Sequence, residues 1–275
     1  MTATGIAPDQ NSVVVTIRKT APSTATILSQ RYGTNLIIEE RDYLHFADRS
    51  DVGPPWVAGM KLVGPCSGTT DCQLYNCTSN FTVFDFIQGL PFHYLATAGH
   101  CFAYESTVTN GSGVPIGPVL QRFFYEGSNS DFEIILEDPG TQSPNVITTD
   151  PSQYPVVGYE TTEALNEGVC KSGITTGETC GWTITKIHAT ETLCLDIPCT
   201  QTIDLVDQIE ATNPGSSSVD LGDSGGPVYH YDSVPNIWAT GVVSAKNGLG
   251  NLMVYTFFYN ALLNEGGYLC TSGVC

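Results

Sequence analysis

Beyond Gly53 the chain is a series of short runs of apolar and β-branched residues, each cut off by Gly, Pro, Asn or Ser. Phe81-Thr82-Val83-Phe84-Asp85-Phe86, Phe132-Glu133-Ile134-Ile135-Leu136, Trp182-Thr183-Ile184-Thr185-Lys186-Ile187 and Ile237 to Val243 are such runs. Runs of this length suit strands, and the 28 glycines and 16 prolines supply the turns between them. No long stretch keeps the 3.6-residue period of a helix, except Thr256 to Asn264, which reads as one short C-terminal helix. Many short strands with turn signals predict an all-β sandwich or barrel.

The first fifty residues have a different texture. Ser12 to Arg18 reads as a strand, Pro22 and Ser23 open a helix over Thr24 to Tyr32, and Gly33 is placed to stop it. Leu36 to Glu40 reads as a second strand. The result is a small β-α-β unit, too small to be very stable alone. Asp48 to Pro55 then reads as an exposed connector, so the expected domains are residues 1–50 and 51–275.

Ten cysteines fall into five local couples: Cys66/Cys72, Cys77/Cys101, Cys170/Cys180, Cys194/Cys199 and Cys270/Cys275. No C-x-x-C pair with zinc spacing is present, so disulfides formed in an oxidising compartment are expected, with connectivity left open. Ten Lys and Arg face 28 Asp and Glu, a formal charge of −18. That surface repels phosphates, which argues against a nucleic-acid partner. No apolar run is long enough to span a membrane, and MTATGIAPDQ does not read as a signal peptide, leaving a trimmed leader or a longer precursor. Asn76, Asn80 and Asn110 each begin an N-x-[ST] string, the acceptor pattern for glycans.

Three strings carry chemistry: Leu95-Ala96-Thr97-Ala98-Gly99-His100-Cys101, Ser130-Asp131-Phe132-Glu133 and Gly222-Asp223-Ser224-Gly225-Gly226-Pro227. A serine hydroxyl is a poor nucleophile until a base removes its proton. That base, a histidine, needs a carboxylate to hold its tautomer. Glycines around Ser224 permit a sharp turn that exposes the hydroxyl and aims the N–H groups of Gly222 and Ser224 at one point. Asp85 and Asp138 are nearby carboxylates, but one precedes the histidine and the other leads into Pro139. His45, His93, His188 and His230 lack a comparable context and read as structural.

TAGHC followed by GDSGGP, with the order His, Asp, Ser, resembles the chymotrypsin-like (trypsin superfamily) serine proteases. Gly168-Val169-Cys170-Lys171-Ser172-Gly173 through Thr179-Cys180-Gly181, and Cys77 to Val83, resemble the bacterial streptogrisin/α-lytic subfamily. The resemblance spans about residues 56 to 260. It implies two six-stranded antiparallel β-barrels dividing near residues 140–160, with the active site between them. It also implies His100 as base and acid, Asp131 as its orienting carboxylate, Ser224 as nucleophile, and Gly222 and Ser224 as oxyanion donors. Asp223 needs a partner if buried, and the subfamily pattern assigns Lys171. Residues 13–40 resemble the tail of a pro-region that docks on the protease and is cut away, with cleavage expected within about residues 41–56.

The same resemblance places the pocket for the residue before the scissile bond along Ser218, Val219 and Leu221 and along Val243, Ser244, Ala245 and Lys246. Cleavage after Lys or Arg needs an aspartate where Ser218 stands, so the specificity is not trypsin-like. A medium apolar residue suits the pocket, or an acidic one if Lys246 faces inward. Asp220 replaces a cysteine usual in the family, so one bridge along this wall is missing. The expected function is a secreted, monomeric serine endopeptidase acting on polypeptides without cofactor or metal. The alternatives are a catalytically inactive homologue that binds proteins, and an esterase, whose usual G-x-S-x-G elbow differs from GDSGGP, with its Asp before the serine and Gly-Gly-Pro after it.

Overall fold

In this computed structural model the described residues are 3–7, 12–18, 22–32, 36–41, 49–50, 52–65, 75–150, 152–195, 199–215 and 218–275. The chain divides into two compact units, Met1–Phe46 and Ala47–Cys275, a few residues before the division expected at 50. The first unit holds β1 (Ala3–Ala7), β2 (Ser12–Arg18), α1 (Pro22–Tyr32) and β3 (Leu36–Arg41). β2 and β3 pair in parallel across the helix, and β1 adds an antiparallel edge that the sequence reading lacked. Gly33 lies outside the described residues.

The second unit begins with β4 (Trp56–Ala58), β5 (Lys61–Gly64), β6 (Tyr75–Thr78), β7 (Thr82–Ile87) and β8 (Leu90–Thr97). β9 (Thr107–Asn110), β10 (Pro115–Phe123) and β11 (Phe132–Leu136) complete the first sheet. Its strand order is β7-β8-β11-β10-β9-β5-β6, and the ends meet because β6 runs on into β7 through Ser79 and Asn80. Ser79 N bonds Met60 O on one side of this corner, and Asn80 N bonds Ala96 O on the other. Counting β6 and β7 as one bent strand gives a six-stranded barrel. Leu62, Phe81, Leu95, Phe102, Val119 and Phe132 are among the residues buried in its core.

The connecting strands are β12 (Gln142–Ile147) and β13 (Gln153–Tyr159). Then follow β14 (Gly168–Gly173), β15 (Gly177–Cys194), β16 (Thr202–Thr212), β17 (Pro227–Ser233), β18 (Asn236–Lys246) and β19 (Leu252–Phe257). Their order β17-β14-β15-β16-β19-β18 is closed by the β17–β18 pairing, which makes a second six-stranded barrel around Trp182, Ile184, Ile209, Val228 and Tyr255. Closure removes the exposed edges that an open sheet would carry. β13 adds in parallel to β18, and β4 in parallel to β12.

The last helix, α2 (Phe258–Glu265), starts two residues later than expected. Thr256 and Phe257 remain in β19 because their ladder to β18 continues to the Gly241–Phe257 pair. Gly266, at φ +79°, caps the helix with N–H to Leu262 O. The short β20 (Tyr268–Leu269) returns to pair with β7. Disulfides join Cys77–Cys101, Cys170–Cys180, Cys194–Cys199 and Cys270–Cys275, while Cys66 and Cys72 lie outside the described residues.

Candidate active site

β8 ends at Thr97, and the chain turns through Ala98 and Gly99 to His100. β11 lies antiparallel beside β8, with Glu133 opposite Thr97, and this register brings Asp131 alongside the turn. His100 Nδ1 is 2.7 Å from Asp131 Oδ2, and the His100 backbone N–H donates to Asp131 Oδ1 at 2.9 Å. Asp131 is fully buried. A buried carboxylate facing Nδ1 holds the proton on that nitrogen, which makes Nε2 the ring atom that accepts another.

Asp131 is supported from the other barrel. Its N–H donates to Thr256 Oγ1 at 2.8 Å, and that hydroxyl donates to Gln208 Oε1 at 3.0 Å. Ser244 Oγ is 3.4 Å from the same hydroxyl. Glu133, two residues along, is also buried; burial drives its carboxyl well above the ordinary carboxylate range. The Arg122 charge and the Phe102 N–H pull the other way, while the nearby Asp131 charge adds to the rise.

The turn carrying Ser224 is fixed by residues of the β6–β7 corner. Thr78 N donates to Ser224 O at 2.8 Å, Thr78 Oγ1 to Gly222 O at 2.7 Å, and Asn80 Nδ2 to Gly225 O at 2.8 Å. Cys77, beside Thr78, is bridged to Cys101, beside His100, so the serine and histidine turns share one corner. Gly222 stands at φ +98°, and a Cβ there would lie 2.7 Å from Thr175 Oγ1. Gly225, at φ +85°, presses on Thr97 Oγ1 and Thr78 O, leaving no space for a side chain. Thr78, Asn80 and Thr256 were missed by the sequence reading. Asn80 and Asn110 are both buried and hydrogen-bonded, so neither serves as the glycan acceptor its string suggests.

Asp223 points back into the protein. Lys171 Nζ meets its Oδ2 at 2.8 Å, and both side chains are fully buried. Thr176 Oγ1 and Asp220 N also donate to Oδ2, and Thr175 N and Thr176 N donate to Oδ1. Four neutral donors and one cation thus compensate the carboxylate. Burial lowers the Lys171 pKa below the ordinary lysine value, against the opposing pull of Asp223.

The other predicted pocket residues are spread out. Val219 and Val243 are packed in the second barrel's core, and Ser218 and Ser244 are buried polar residues. Ala245 is half-buried and Leu221 exposed. Lys246 Nζ pairs with Asp220 Oδ1 at 3.2 Å, joining the two stretches where the family's bridge is absent. The backbone N–H of Leu221 and then Lys246 hold the Asp220 carboxyl below its ordinary range. A cleft of about 490 Å³ borders Gly222 and Leu221 on another side; Arg49, Lys61, Tyr75 and Asp150 also line it. Among the described residues, Glu160, Glu167 and His230 gather possible metal-ligand atoms within 4.8 Å, and His230 is ion-paired with Glu160.

The sequence profile described as Trypsin matches residues 91–262, more than half of the chain. Among solved structures, Protease A of Thermobifida fusca (TFPA) aligns at 23% identity with a TM-score of 0.59, covering 78% of this chain and 98% of that one. The chymotrypsin of Cellulomonas bogoriensis gives 21% and 0.57, with coverage of 78% and 98%. The Nocardiopsis protease (NAPase) gives 21% and 0.58, with 78% and 97%. These three share the fold. No curated protein sequence matches the chain. The chain belongs to the trypsin family of serine endopeptidases.

Proposed function

We propose that the protein is a secreted endopeptidase working through Ser224, His100 and Asp131. The observation that carries this reading is the contact of His100 Nδ1 with the buried Asp131 carboxylate, set against a Ser224 turn held by Thr78 and Asn80. In the proposed reaction Ser224 Oγ attacks the peptide carbonyl carbon while His100 Nε2 takes its proton. The carbonyl oxygen gathers negative charge and is met by the N–H groups of Gly222 and Ser224. The intermediate collapses, the C–N bond breaks, and His100 returns the proton to the leaving amine. Water, activated by the same imidazole, then hydrolyses the acyl-enzyme. Neither step calls for a metal or an organic cofactor.

Four disulfides among the described residues support action in an oxidising, extracellular setting, and no helix among those residues is long and apolar enough to cross a membrane. The β-α-β character of Met1–Phe46, a compact unit of its own, supports a removable pro-segment. For specificity, Ser218 supports no preference for Lys or Arg. Pairing of Lys246 with Asp220 weighs against an acidic residue and in favour of a medium apolar one.

A panel of p-nitroanilide peptides differing in the residue before the scissile bond tests this. Cleavage is expected fastest after Leu, Val or Ala-sized residues, with none by Ser224→Ala. Fastest cleavage after Lys or Arg would refute the pocket reading, and equal rates in Ser224→Ala would refute the mechanism.

A further inference from the structure

Arg49 sits next to the division between the two units, where the sequence suggests only a solvated connector. Instead its side chain is 5% exposed. Nη1 donates to Gly59 O at 2.9 Å and to Ser172 Oγ at 2.7 Å. Nη2 donates to Thr148 O at 2.8 Å and reaches Ile147 O at 3.5 Å, while Nε donates to Asp150 Oδ2 at 3.2 Å. A guanidinium with its whole planar fork engaged is a rigid tie between the elements it touches. Gly59, Ile147 and Thr148 are fixed body, flanking β4 and closing β12. Ser172 is on β14, which meets the catalytic loop.

Three consecutive residues of β14 bear on that loop. Lys171 pairs with Asp223. The Ser172 carbonyl lies against Gly226 so closely that a Cβ there would strike it. Gly173 lies against the Asp223 carboxylate, again with no room for a Cβ. Arg49 grips the middle residue of the three. Its charge also acts on Lys171, adding to the larger effect of burial in lowering that pKa.

We propose that Arg49 is a positioning residue of the reaction: it fixes Ser172, and so holds Lys171 and Gly173 against the Asp223 loop that presents Gly222 and Ser224. A protease freed of its N-terminal unit then needs Arg49 on the chain it keeps. The proposal rests on the endopeptidase reading above.

The test uses the full chain carrying Arg49→Met, Arg49→Lys or Ser172→Ala, purified as folded monodisperse protein and compared on the best peptide substrate. Loss of loop positioning affects oxyanion stabilisation, so Arg49→Met is expected to lower kcat about tenfold with KM within about twofold. Its alkaline limb should move to higher pH, because a cation near Lys171 is gone. Arg49→Lys, keeping charge but losing the fork, should recover only part of kcat. If Arg49→Met does not fold, Ser172→Ala removes the gripped hydroxyl, together with its bond to Ile147 O, and should show a smaller, kcat-led loss. Wild-type kcat in folded Arg49→Met, or in Ser172→Ala when the former is unfolded, would overturn the proposal. Wild-type protein that neither hydrolyses peptides nor takes a serine-directed label would overturn the endopeptidase reading itself, and this proposal with it.

Discussion

Lys171 and Asp223 show how one buried contact connects to chemistry. Two charges without access to water are costly, and they persist only when each finds a partner and the remaining polar atoms are bonded. Asp223 has those partners, and its neighbours in sequence are Gly222 and Ser224. Lys171→Met leaves the carboxylate without a cation, which costs about 3–5 kcal/mol when one partner of a buried pair is removed. Urea unfolding should register that loss, and kcat should fall more than KM rises. Unchanged stability and activity would remove the pair from the account. The strings around His100, Asp131 and Ser224 were legible because their residue types are tied to a mechanism. Arg49, Thr78, Asn80 and Thr256 were not, since each is an ordinary polar residue whose partner lies far along the chain. Asn80 misled, because N-x-T reads the same whether the amide faces water or a buried carbonyl.

Strands were readable as elements because their runs are short and rich in β-branched and aromatic residues. Their ends were less so. Thr256 and Phe257 fit a helical pattern, yet the ladder with β18 keeps them extended. The edge additions β4, β12 and β13 left no clear pattern, since parallel pairing is set by the approach of distant segments. One consequence of strand packing has a pH signature. Glu137, just past β11, is buried opposite His93 with no hydrogen-bond partner among the described residues for either carboxyl oxygen, and burial raises its pKa to about 8. Burial also lowers the pKa of His93, so that ring offers no compensating charge at neutral pH. A carboxyl whose folded pKa stands above the ordinary 4.5 holds its proton more tightly when folded. Its stabilising contribution is complete below 4.5 and fades as pH rises toward about 8. Thermal unfolding should therefore give a higher Tm at pH 5 than at pH 8, and Glu137→Gln should flatten that difference. A wild-type Tm that rises from pH 5 to pH 8 would contradict it.

At the scale of the whole molecule, two closed barrels each carry part of the proposed site. The first supplies His100, Asp131 and the Thr78–Asn80 corner; the second supplies Ser224, its loop, and Thr256 beneath Asp131. The −18 charge, first an argument against phosphate-rich partners, also suits a soluble surface held together by disulfides. The two-barrel plan was legible through the resemblance, whereas strand pattern alone reached only as far as an all-β class. The proposed chemistry turns on Ser224 as a nucleophile activated by His100. Fluorophosphonate labelling of the folded protein, followed by peptide mapping, tests it most directly. One adduct is expected, on Ser224, absent in Ser224→Ala and formed far more slowly in His100→Ala. An unlabelled folded protein, or an adduct at another residue, would contradict it.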